Sequence, residues 1–134
     1  MSIAETKMRA FNPHAPVGYD QGAYVMIEDV YDSPIDRRLY RLEYQATADG
    51  RRAISYLRSN PWDRTRPNCG KEYAKCHVSE AGIICVGSQH TNSLADSPYD
   101  LDFVLKRARS FCTYFSAWME GGCRRSLNDI AMGR

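Results

Sequence analysis

The stretch "LYRLEYQATADGRRAISYLRS", residues 39–59, decides the fold class. Its first residues alternate: Tyr40, Leu42 and Tyr44 fall on one face, and Arg41, Glu43 and Gln45 on the other. Successive side chains of a strand point to opposite faces, so this is the pattern of a strand with one side in a core and one in water. Asp49-Gly50 suits a tight turn, and "RRAISYLRS" returns as the hairpin partner, with Ile54 and Tyr56 sharing a face. Upstream, "AYVMIEDVYD" is rich in β-branched and aromatic residues and is closed by Ser33-Pro34, which adds a strand. A meander of three antiparallel strands is the simplest reading.

Farther out, helices are predicted on both sides. Ser2 followed by Glu5 has the spacing of a capping box and opens a short helix over Ile3 to Phe11, which Pro13 and Pro16 end. After the meander, Pro61, Pro67, Asn68 and Gly70 mark an irregular connection. "YAKCHV" and "GIICVG" then flank Glu80-Ala81, and the polar segment "SQHTNSLADS" follows. In "SPYDLDFVLKRARSFCTYFSAWME", Ser97 is the expected N-cap, Pro98 the first helical residue, and Asp100 sits near the positive end of the helix. Leu101, Val104, Leu105, Ala108, Phe111, Cys112, Phe115, Trp118 and Met119 recur at three- and four-residue steps, the signature of a long amphipathic helix that Gly121-Gly122 stops. The predicted class is α+β, an antiparallel β-meander packed on a long C-terminal helix. Residues 1–21 are read as an N-terminal segment, 22–122 as the domain and 123–134 as a C-terminal tail.

Composition restricts the function classes. The 134 residues fit one domain; 43% are hydrophobic and 25% charged, with a formal net charge of +2. Bulk charge does not point to nucleic acid, and the pairs Arg37/Arg38, Arg51/Arg52 and Arg124/Arg125 read as solvated faces. No apolar run approaches the roughly 20 residues of a membrane helix, and "MSIAETKMRAF" lacks the long apolar core of a secretory signal, so a cytoplasmic protein without membrane partners is expected. Cys69, Cys76, Cys85, Cys112 and Cys123 are odd in number, which in a reducing compartment favours thiols over a disulfide framework.

Within "CHVSEAGIICVG", residues 76–87, Cys85 admits three readings. Ile83, Ile84 and Val86 around it suit a strand interior, where cysteine is a small core residue. Cys69, Cys76, His77 and Cys85 have the side chains of a zinc site, but no pair has the short CxxC spacing. Nucleophilic catalysis needs a reachable, thiolate-prone cysteine with polar neighbours, for which Ser88, His90 and Asn92 are candidates. Cys112, on the apolar face of the long helix, reads as packing.

The order of a meander, a proline-containing connection, a histidine, a loop, G-x-[IL]-C-[LV], a polar segment and a helix resembles the ubiquitin-conjugating enzymes. His77, Gly82, Ile84, Cys85 and Val86 carry the likeness, together with "RSFCTYFSAWMEGG" at the end of the helix. "HVSEAG" is two residues shorter than the eukaryotic pattern and lacks its Pro-Asn, which brings the chain nearer the compact bacterial branch found in antiphage operons. The resemblance covers residues 22 to 122. It implies a transferase that carries a ubiquitin-like protein as a thioester on Cys85 and passes it to an amine of a target protein, with no cofactor and no metal. The implied partners are the ubiquitin-like protein, an adenylating activating enzyme, the target and, in the same pathway, a deconjugating metalloprotease.

The family's histidine buttresses the loop, which is the role implied for His77. A donor to the tetrahedral oxyanion is worth about 3–4 kcal/mol. Asn92, or a backbone amide near Gly87 and Ser88, is left to take the place of the missing asparagine, and His90 to assist proton transfer; Asp96 and Asp100 are candidates to orient an incoming lysine. A catalytically inactive scaffold of the same fold, binding a ubiquitin-like or partner protein, is the alternative from another class.

Overall fold

A computed structural model describes residues 1–62, 77–79, 81–87, 91–121 and 126–133. Helix α1 spans Ile3–Phe11 and is capped by Ser2, whose side chain accepts the Glu5 N–H. Four strands follow, β1 (Val17–Asp20), β2 (Ala23–Tyr31), β3 (Leu39–Ala46) and β4 (Ala53–Ser59), in one antiparallel sheet ordered as in the chain. Helix α2 (Leu101–Glu120) lies against the sheet, and a short α3 (Leu127–Ala131) packs on α2. Among the described residues no helix is long and apolar enough to cross a membrane.

The alternation in β3 is realised in full: Tyr40, Leu42 and Tyr44 are completely buried. They meet Leu101, Val104, Leu105, Ala108, Cys112 and Phe115 of α2, the apolar stripe expected from its periodicity. Ala4 and Met8 of α1 enter the same core.

The meander has four strands rather than three. Val17–Asp20 pairs with Met26–Ala23 through a two-residue turn in which Gln21 and Gly22 both have positive φ, 50° and 85°. This is the backbone of a type I′ turn, whose twist suits a hairpin. The expected boundary after residue 21 therefore falls inside a turn. The strand escapes a hydrophobicity reading because only Val17 among its four residues is even half-buried.

The start of α2 also differs. Asp100, not Ser97, is the N-cap, its carboxylate accepting the Phe103 N–H at 2.9 Å. Ser97 donates its hydroxyl to the Ala53 carbonyl at 2.6 Å, and the Ala53 N–H donates to the Tyr99 carbonyl at 2.9 Å. Extended pairing with the start of β4 holds 97–99 out of the helix. Within the segment read as a tail, α3 buries Leu127 in the common core.

Helix and sheet are joined by a buried charge. The Glu28 side chain has no exposure and receives two hydrogen bonds from Arg109 of α2, at 2.7 and 3.1 Å. Asn12, after α1, donates to it at 2.9 Å, and the Tyr44 hydroxyl donates to its other oxygen. Arg109 also lies 3.9 Å over the Phe11 ring. Removing one partner of such a pair strands a desolvated charge. Arg109→Met is expected to cost about 3 kcal/mol in urea unfolding. The double variant with Glu28→Gln should lose clearly less than the sum of the two single changes, because the groups act as one network.

Candidate active site

Beyond β4 the chain builds a second, smaller hairpin that carries Cys85. Val78 faces Ile84 in an antiparallel bridge; Ser79 N–H donates to Ile83 O at 2.9 Å, and Cys85 N–H donates to His77 O at 2.8 Å. The turn closes with Gly82 N–H on Ser79 O, while the Ser79 hydroxyl accepts the Ile83 N–H. Gly82 has φ of 93°, a conformation that glycine adopts freely and side chains resist. The hairpin adds to the edge of β4: Leu57 N–H donates to Gly82 O at 2.8 Å and Ile84 N–H to Ser55 O at 2.9 Å. Ile83 and Ile84 are buried, and the chain then emerges, leaving Cys85 half-buried and Gly87 exposed.

His77 begins this hairpin with φ of 60°, the left-handed region. That conformation costs a non-glycine residue roughly 1–2 kcal/mol. It is maintained by the bridges that follow and aims the His77 carbonyl at the Cys85 amide. Burial lowers the pKa of the imidazole, which favours the neutral ring at pH 7. A neutral ring adds no positive charge to stabilise a thiolate.

Cys85 opens onto a cleft of about 640 Å³ between the hairpin, α2 and α3. His77, Val86 and Gly87 line it from the hairpin; Arg107, Phe111 and Tyr114 from α2; Leu127, Asn128, Ala131 and Met132 from α3. The volume lies within the range of about 300–1,000 Å³ typical of ligand sites. The nearly buried Phe111 and Leu127 back the cleft with apolar packing, while Arg107, Asn128 and Tyr114 add polar residues to the lining that includes the thiol.

Tyr99 holds the exit from the cysteine in place. A Cβ built on Gly87 would lie 2.4 Å from the Tyr99 hydroxyl and 2.6–2.7 Å from its ring carbons, so the ring rests directly on the Gly87 backbone. Tyr99 stacks in turn on Phe103 of α2, with centroids 5.1 Å apart and planes 12° apart. The segment after Cys85 is thereby registered against the first turn of the long helix.

The structure brings Cys85 and His77 together on one hairpin. Asn92 is exposed in the segment before α2 and does not line the cleft. His90 and Ser88 lie outside the described residues, as do Cys69 and Cys76 of the zinc reading. Among the described residues no three His, Cys, Asp or Glu side chains stand close enough to hold a metal. Asp96 accepts from the Ser93 hydroxyl, and Asp100 is engaged as a cap. Arg107, Tyr114 and Asn128 are additions to the expected site. Phe111 was legible only as a core residue, since nothing in the periodicity says where α3 closes against α2.

No protein-family model matches the chain, and no curated protein or solved structure matches it.

Cys112 forms a sharp contrast with Cys85. It is fully buried on α2, and burial, then the charges of Glu28 and Asp32, push its thiol well above the ordinary range. Under native conditions iodoacetamide should therefore label Cys85 far faster than Cys112, measured by mass mapping of digests over time. Equal labelling, or faster labelling of Cys112, would contradict this arrangement.

Proposed function

We propose that the protein is a conjugating enzyme that carries a ubiquitin-like protein as a thioester on Cys85 and transfers it to a target amine. One observation carries the reading most directly: the half-buried Cys85 lines an open cleft, on a hairpin hydrogen-bonded to the sheet. The order of elements supports it as well. An antiparallel meander, a cysteine-bearing hairpin and a long helix follow one another in the order the resemblance over residues 22–122 implies, whereas the short helix α1 at the front end departs from the family's usual N-terminal helix.

Such chemistry asks for access more than for a strong base. In charging, the Cys85 thiolate attacks the thioester of the activating enzyme; a new C–S bond forms at Sγ and the old one breaks. In discharge, a neutral amine attacks the same carbonyl, a C–N bond forms, the Cys85 thiolate departs and the amine's extra proton goes to solvent. A half-buried cysteine facing a wide cleft meets the first requirement. The bacterial antiphage setting belongs to the same proposal, with an adenylating activating enzyme and a target protein as partners.

A second reading has its own observation. Tyr31, Ile35 and Leu39 are exposed around the β2–β3 turn, Ile35 at 90%. An exposed apolar tip suits a binding scaffold of the same fold.

Charging separates the two. With ATP, a cognate activating enzyme and a cognate ubiquitin-like protein, the chain should gain a Cys85-linked adduct that thiol reductants remove. Cys85→Ser should leave either a reductant-stable ester or no adduct, while Cys69→Ser and Cys123→Ser should still charge. A wild-type chain that binds these partners but never charges would leave the scaffold reading standing.

A further inference from the structure

The charge pattern of the cleft specifies its occupant further, on the basis of the thioester reading above. Among the described lining residues there is no carboxylate, whereas Arg107 brings a permanent positive charge. Its guanidinium lies 4.8 Å over the Phe103 ring, and Phe103 is stacked on Tyr99, which rests on Gly87. The cation is thus held by an aromatic pair that also holds the residue two positions beyond Cys85. Among the described residues, nearby acids are engaged elsewhere or do not line the cleft: Asp102 pairs with Lys7 at 2.6 Å, Asp100 caps α2, and Asp129 of α3 is not part of the lining.

The dimensions fit an extended chain. Arg107, Phe111 and Tyr114 run along one side of α2, and seven residues of helix rise about 10 Å. An extended peptide advances about 3.3–3.6 Å per residue, so this wall spans about three residues. Phe111 and Leu127 are 5% and 4% exposed and leave little apolar surface there, so the guanidinium, which attracts one charge sign and repels the other, is the feature able to discriminate.

The thioester reading already puts the C-terminal tail of the carried protein in this cleft as extended chain; we infer that Arg107 selects a tail with an acidic side chain within about three residues of the thioester. Arg107 is here a specificity-determining residue; the bond-making atom remains Cys85 Sγ.

The test needs no partner protein. N-acetylated tetrapeptide ethyl thioesters ending in glycine are prepared with Glu, Gln or Lys at the second or third residue from the end. Cys85 loses its proton and attacks the carbonyl; the C–S bond to Sγ forms, the bond to ethanethiolate breaks, and ethanethiolate takes up a proton. Acylation is followed by intact mass and mapped by digestion.

At one of the two positions the Glu peptide should acylate Cys85 about fivefold faster than the Lys peptide, with Gln between them, as expected for a partly exposed ion pair. Added salt should shrink the difference. Arg107→Glu should reverse the preference, and Lys106→Glu, an exposed neighbour that does not line the cleft, should keep it. Equal rates for Glu and Lys at both positions, or a preference unchanged in Arg107→Glu, would overturn this inference alone. Acylation no faster at Cys85 than at the other cysteines, with every peptide, would overturn the thioester reading and this inference with it.

Discussion

The rest of the architecture depends on the ion pair between Glu28 and Arg109. A carboxylate with no exposure is set into the inner face of the sheet, and its oxygens are satisfied from three directions: the guanidinium fork of α2, the Asn12 amide after α1 and the Tyr44 hydroxyl of β3. Arginine's planar fork accepts few alternative positions against a carboxylate. The pair therefore sets both the rotation of α2 about its axis and its translation along the sheet. Apolar packing alone is less particular, because a stripe of leucines and aromatics tolerates small slides. Once Arg109 is placed, helical geometry turns Arg107 about 200° away from it, and Phe111 and Tyr114 follow on Arg107's side. The wall of the cysteine cleft is thus positioned from the opposite side of the helix.

A second polar tie sits at the other end of α2. Burial disfavours the charge of Asp32, yet hydrogen bonds from Ser116, from the Arg38 and Ser33 backbone and from the Arg38 side chain hold its carboxyl below the usual range. Arg38 also reaches Asp36 and Glu120 and covers the Trp62 ring, while Tyr40, Ser116 and Trp62 share hydrogen bonds beneath it. The two ties lie about two to three helical turns apart along α2, by the spacing of Arg109, Ser116 and Glu120. Between them Cys112 and Phe115 are fully buried. A helix fastened at two separated points resists rocking as well as sliding, which a cleft assembled from three separate elements requires.

Much of this was legible in the sequence, and what escaped had physical reasons. The β3 face, the α2 stripe and the short N-terminal helix follow from burial periodicity, and each is present in the structure. The first strand did not show itself, because an edge strand with mostly exposed residues has no hydrophobic alternation to read; its evidence was the Gln21-Gly22 turn. Ser97 reads as a cap because its hydroxyl has the right chemistry, while its actual partner, the Ala53 carbonyl, is distant in sequence. Glu28 gave no signal, since an acidic residue within a strand reads as solvent-facing until Arg109 is known to lie above it. The cysteine and histidine of the candidate site stand out through the family resemblance, since periodicity alone leaves Cys85 readable as a core residue. Its remaining walls come from α2 and α3, whose meeting is a tertiary event that no local pattern encodes.

The contact between Gly87 and Tyr99 has a consequence for inheritance. Neither position is free to drift alone: any side chain at 87 needs the space that the aromatic ring fills, and a smaller residue at 99 leaves the segment after Cys85 without its backstop. Descendants of this chain that keep the cleft should therefore retain the glycine and the aromatic ring as a pair or exchange them together. Positions 87 and 99, twelve apart in the chain, would then behave in evolution as one locus.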